Sequence, residues 1–141
     1  MKIAALQTVS GASLDANLES ARALLAKAAN QGAELAVLPE YFCLMGQRDR
    51  DKLAVREAFG SGRVQSFLAQ QARDLRMWIV GGTLPLVAES DAHVRNSSLA
   101  FSPGGECVAR YDKIHLFRYD NGREQYDEAR VIEGGRTPAS F

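Results

Sequence analysis

In "AELAVLPEYFCLMG", Ala33 to Gly46, a short apolar run ends in Leu38-Pro39 and then presents Glu40, with no lysine or arginine beside it. A glutamate at a buried strand end is either a cap for local backbone amides or a working acid/base. Ligands in open α/β sheets gather at the carboxyl ends of strands. Lys113, in "RYDKIHLF", has Tyr111, Ile114, Leu116 and Phe117 as neighbours. A lysine in such company is either desolvated, with its charge in need of a carboxylate, or laid along a strand edge with its ammonium in water. His115 would share a strand face with Lys113, and a hydrogen-bonded core or edge histidine is its plainer role. The two thiols are Cys43, close behind Glu40, and Cys107, inside a predicted hairpin strand. Either could act as a nucleophile, but both are expected as small buried or half-buried side chains. Gly81-Gly82 lacks the spacing of a phosphate loop, and a strand rather than a helix is expected after it, so it reads as a turn or bulge.

Positioning these groups requires a scaffold, and the hydrophobic pattern supplies one. Lys2 to Thr8 reads as a buried strand. Leu14, Leu18, Ala21, Leu25 and Ala28 then recur at helical spacing, with Asp15 and Glu19 early, where they suit the helix dipole, and Gly32 as the stop. Leu35 to Leu38 is a second strand, halted by Pro39. Tyr41 to Gly62 shows no clean period, and the charge run "RDRDK", Arg48 to Lys52, is expected on a solvated surface. Arg63 to Arg76 is a second helix with Val64, Phe67, Leu68, Ala72 and Leu75 on one face. Met77 to Val80 and Leu84 to Ala88 are strands. Asn96 to Phe101 and Glu106 to Tyr111 form a hairpin around Ser102-Pro103-Gly104-Gly105. From Arg118 to Gly135 the chain is polar and without a pattern. Strands alternating with helices and closing on a hairpin predict an α/β fold with a mixed sheet.

Bulk properties exclude several partners. The 141 residues suit one domain and can bury on the order of 70% of the unfolded surface. Lys+Arg and Asp+Glu both number 17, so no charge excess calls for nucleic acid or an anionic membrane. No apolar run approaches the roughly 20 residues of a membrane helix. "MKIAALQTVSG" reads as a first strand rather than a signal peptide. Two cysteines make neither a disulfide framework nor a metal spacing, and a reducing cytoplasm is the expected location.

Taken together, "KIAALQT", "GAELAVLPEYF", "VGGT" and "NSSLAFSPGGECVARYDKIHLF" resemble the nitrilase, or carbon–nitrogen hydrolase, superfamily over essentially the whole chain. The motifs around Glu40 and Lys113 are the specific part. The resemblance implies an α-β-β-α sandwich with mixed β-sheets, of which residues 1–141 would be the N-terminal portion. It implies hydrolysis of non-peptide C–N bonds in a small carboxamide or nitrile by a Glu-Lys-Cys mechanism. Glu40 matches the general base, Lys113 the oxyanion-stabilising lysine and Glu128, in "YDEARVIEGG", the second glutamate, with Glu124 as its fallback. The family nucleophile lies on a later strand, and neither Cys43 nor Cys107 matches it. The thiol is therefore expected beyond Phe141, and this chain alone is expected to be inactive. No metal or organic cofactor is implied. Homo-oligomers are expected, and a complementary C-terminal chain is a further candidate partner. "LPEYFCLMG" is most similar to the small-acid amidases, the omega-amidase and deaminated-glutathione amidase branch. Two readings from other classes stand beside this one: a truncated family member serving as an interaction module, and an unrelated α/β ligand-binding domain.

Overall fold

The computed structural model describes residues 1–141. In chain order the elements are β1 (Ile3–Ala5), α1 (Leu14–Asn30), β2 (Leu35–Val37), α2 (Asp51–Ala54), α3 (Arg63–Leu75), β3 (Trp78–Val80), β4 (Leu84–Val87), β5 (Val94–Phe101), β6 (Cys107–Asp112), β7 (Arg118–Asp120) and β8 (Gln125–Asp127). A single 3-10 turn, Glu128–Arg130, follows β8.

Helix α1 begins where Ser13 adopts an extended conformation and its hydroxyl accepts the Ala16 N–H. It ends before Gly32, whose φ of 79° suits a residue without a side chain. Leu18, Ala21, Leu25 and Ala28 are buried along one face, as the spacing predicts. Helix α3 has a cap its own sequence does not provide. Gly62 has no side chain to offer, and the Glu57 carboxylate accepts from the N–H groups of Val64 at 2.6 Å and Gln65 at 3.2 Å.

The main sheet is mixed. Strands β1, β2 and β3 are parallel, and β5 runs antiparallel to β3, β4 and β6. Strands β3 and β4 lie in tandem along one side of β5, with Gly81 to Thr83 as the irregular stretch between them. The expected bulge is therefore a kink within one long edge of pairing. Helices α1 and α3 cover one face, where Ala36, Leu38, Ile79, Leu84, Leu86, Leu99 and Phe101 meet Leu25, Val64, Phe67 and Leu68. The opposite face carries Ile3, Leu35 and Trp78 in one register row. Leu35 and Trp78 are half-buried, and Ile3 is 61% exposed. The expectation of a buried first strand fails for that reason: β1 is an edge strand, and only its Ala4 side faces the helices. Residues 1–141 thus provide one helical layer and one sheet layer.

Two other expectations change. The stretch after Arg118 contains a hairpin, β7–β8, whose turn is built around Asn121-Gly122 with Gly122 at φ 78°. An Asn-Gly turn signal was present, but the flanking strands are short and polar. In "RDRDK", Lys52 is buried at 9% exposure, although Arg48 and Arg50 are exposed.

Gly82 has a φ of 54°, and a Cβ there would overlap the carbonyl oxygen of Pro39. Gly82→Ala is expected to destabilise the fold by about 2–4 kcal/mol, from the clash and the left-handed backbone together. Gly60→Ala, at φ 83° in open space, should cost only about 1–2 kcal/mol. Urea unfolding of both variants measures the difference, and equal losses would show that the Pro39 contact is not the cause.

Candidate active site

The carboxyl end of β2 turns sharply. Leu38 N–H still pairs with Val80 at 3.0 Å, then Pro39 ends the ladder and Glu40 leaves the sheet. Tyr41 follows with a φ of 55°, a left-handed conformation uncommon outside glycine. Its N–H is held by Thr83 Oγ1 at 2.9 Å, and Gly82 packs directly under Pro39. The Gly-Gly kink is therefore the seat of the Glu40 turn. Lys113 comes immediately after β6. Its N–H donates to the Asn96 carbonyl at 2.9 Å, and its own carbonyl accepts from Gly135 N–H at 2.8 Å. Glu128 opens the 3-10 turn, where Asp127 accepts the Ala129 N–H.

Three strand ends thus bring three charges together. Lys113 Nζ lies 3.1 Å from Glu40 Oε1 and 2.9 Å from Glu128 Oε2. Glu128 is 4% exposed and also accepts from Tyr41 OH at 3.0 Å and Phe117 N–H at 2.7 Å. Glu40 is open to solvent on one side, and Asn96 Nδ2 donates to its Oε1 at 2.7 Å. Asn96 is itself buried, with its Oδ1 unpaired. The ammonium is fixed, and one carboxylate is locked while the other stays accessible. Such a cluster can present a positive charge to a developing oxyanion while Glu40 moves a proton.

Burial pushes the Glu128 carboxyl up, but hydrogen bonds from Lys113, Phe117 N–H and Tyr41 outweigh it and hold it below the usual carboxylate range. Burial pushes Lys113 down, and its bonds to Glu128 and Glu40 more than reverse this, so its value is raised. The Tyr41 hydroxyl is pushed far up by burial and then by the Glu128 charge, so it remains a donor. A depressed carboxyl stabilises the fold above its unfolded value of about 4.3, and that gain is lost as pH falls through the folded value. A raised lysine stabilises below about 10.4 and loses the gain as pH rises through its folded value. Urea midpoints should therefore hold between about pH 5 and 10 and fall at both ends. Glu128→Gln should flatten the acid limb. An acid limb unchanged in that variant would show that Glu128 does not carry it.

The carbon–nitrogen hydrolase profile matches residues 2–140. The chain belongs to the carbon–nitrogen hydrolase family. It is 34% identical over 141 residues to a deaminated glutathione amidase of Synechocystis sp., covering 98% of this chain and 51% of that protein. It is 28% identical over 126 residues to the chloroplastic omega-amidase of Arabidopsis thaliana, covering 86% of this chain and 34% of that one. Among solved structures, a mutant of the amidase from Nesterenkonia sp. superposes with a TM-score of 0.79 at 26% identity, covering all of this chain and 53% of that one. That structure shows acrylamide added at the amidase's active site cysteine. The chain spans about half the length of the Synechocystis amidase, or less in the case of the Arabidopsis one.

Within this carbon–nitrogen hydrolase chain, neither thiol reaches the cluster by hydrogen bond. Cys43 is 1% exposed, points its Sγ at the Thr83 carbonyl 3.8 Å away, and is pushed up to about 12 by burial. Cys107 is exposed at the far end of β6, opposite Phe101. Glu124 is in the β7–β8 turn, away from Lys113, so Glu128 and not the fallback joins the cluster. His115 is exposed in a bend after β6 and not on a strand face with Lys113, because the strand ends at Asp112. Asn96 and Tyr41 are the residues that sequence reasoning missed. For Asn96 a signal existed, an amide at a buried position of an otherwise well-packed strand.

Proposed function

We propose that Glu40, Lys113 and Glu128 are the charged part of a Glu-Lys-Cys hydrolase site acting on non-peptide C–N bonds in small carboxamides, with nitriles as the related substrate class. The observation that carries this reading is the Lys113 ammonium held between two carboxylates, one buried and one open. The nucleophilic thiol is expected on polypeptide outside residues 1–141, either downstream or on a complementary chain. Relatives named deaminated glutathione amidase and omega-amidase favour a carboxylate-bearing amide as substrate.

The Glu40–Lys113–Glu128 geometry supports the following sequence of steps. Glu40 accepts the thiol proton as sulfur bonds to the carbonyl carbon, and the C=O π pair moves to oxygen. Lys113 faces that oxyanion with a charge already oriented. The C–N bond breaks, the proton on Glu40 goes to nitrogen, and ammonia or an amine leaves. Water then attacks the thioester, giving its proton to Glu40, and the acid departs as the thiol is restored. Glu128 never changes protonation. It keeps Lys113 charged and in place, as do the Tyr41 and Phe117 groups that hold Glu128.

The test is ammonia release from succinamate by the protein carrying its downstream half, with mass spectrometry of the trapped acyl-enzyme. Ammonia release together with an acyl group on a cysteine outside residues 1–141 supports the reading. No release from any small carboxamide or nitrile would overturn it in favour of an interaction module. The exposed Ile3 on the sheet face opposite the helices is what favours that second reading. On the hydrolase reading the same face takes the second sheet of the sandwich, and copies associate into homo-oligomers.

A further inference from the structure

We propose that Lys52 is the anion-recognising residue of this site and binds the carboxylate of a carboxylate-bearing amide. The inference rests on the hydrolase reading only for the identity of the anion.

Lys52 is the one cation among the buried residues of the chain, and Glu128 is the one anion. Their surroundings differ. Glu128 accepts from Lys113, Tyr41 and Phe117. Lys52 has no carboxylate within 4.0 Å of its ammonium and donates no hydrogen bond. Its only specific partner is the ring of Tyr41, with Nζ 4.9 Å from the centroid. The stem is buried while the ammonium, which is not among the sealed unpaired polar atoms, stays reachable from solvent. An unpaired cation held over a ring is therefore free to take an anionic partner.

The position of this charge gives it a use. Tyr41 directly follows Glu40, and its hydroxyl is bound to Glu128. Lys52 therefore stands across one aromatic ring from the charged cluster. Glu40, Glu128 and Lys113 together carry a net charge of about −1 near neutral pH. An anionic substrate entering against that charge would be repelled, and a second cation at the wall cancels the repulsion. The helix that carries it is also anchored. Helix α2 is fixed by Asp51, whose Oδ2 accepts from the N–H groups of Gln47 and Arg48 at 3.0 Å each. A residue needed only to prop the Tyr41 ring would require an apolar stem and no charge.

The probes are succinamate and butanamide, which differ by a carboxylate in place of a methyl. Each is titrated into the 141-residue chain and followed by amide NMR, for wild type, Lys52→Met and Lys52→Arg. Wild type is expected to bind succinamate at least tenfold more tightly than butanamide, Lys52→Met to lose that preference, and Lys52→Arg to keep most of it. Lys52→Gln is the second neutral variant should Lys52→Met fold poorly. A wild type without preference for succinamate, or a preference that survives both neutral variants, would overturn the proposal. An equal loss of affinity for both probes would overturn it too, and would leave Lys52 as a prop for Tyr41. Lys52-dependent binding by the chain, without amide hydrolysis by the protein with its downstream half, would sink the hydrolase reading and leave the anion site standing.

Discussion

Lys113→Ala, made in the protein that carries the nucleophile, is expected to lower kcat/KM for a small carboxamide by at least 10³-fold. Loss of one oriented oxyanion donor costs about 10²–10³-fold. Here the same change also frees Glu40, whose Oε1 accepts from Lys113 at 3.1 Å. Glu40→Gln should cost a similar 10²–10⁴-fold, because an amide cannot take the thiol proton. The Lys113 variant needs a folding control, since it leaves Glu128, 4% exposed, as a buried carboxylate without its counter-ion. Breaking a buried pair in this way destabilises by about 3–5 kcal/mol. Adding Glu128→Gln removes the orphaned charge, so the double variant should regain stability while remaining inactive. Urea unfolding and steady-state ammonia release separate the two effects. A stable Lys113→Ala protein with near-normal turnover would remove Lys113 from the mechanism.

Residues Met1 to Phe141 by themselves are expected to release no ammonia from succinamate at an enzymatic rate. The Cys43 thiol is pushed up to about 12 by burial, so it stays protonated near neutral pH. Its sulfur faces the Thr83 carbonyl and not a base. Cys107 lies opposite Phe101, near the other end of β6 from Lys113, and six strand residues span roughly 20 Å. Without a thiolate near Glu40 there is no acyl intermediate, and only weak binding and oxyanion effects remain. By the same argument Cys43→Ser and Cys107→Ser, made in the protein with its downstream half, should retain most of the activity. Many turnovers by the chain alone, or loss of activity in a well-folded Cys43→Ser protein, would return the nucleophile to these residues.

Much of this protein was legible along the chain. The helical spacing of Leu18, Ala21, Leu25 and Ala28 is a local property and survives in the structure unchanged. So does the hairpin around Ser102 to Gly105, whose turn residues dictate where the strands reverse. The pairing of Glu40 with Lys113 was carried by motif resemblance rather than by anything either segment shows alone. Periodicity describes one element at a time and is blind to what lies across a sheet.

Tertiary structure decided the rest, because each remaining feature depends on groups distant in sequence. Glu57 caps a helix to which it does not belong. The Gly81-Gly82 kink matters because Pro39 rests on it. Glu128 prevailed over Glu124 because the β7–β8 hairpin turns one inward and leaves the other at its tip. Lys52, inside a run of charges that reads as surface, is buried because the loop folds it over the ring of Tyr41. Burial is a property of the assembled chain, and it sets whether a charge is merely solvated or held where it can act on another group.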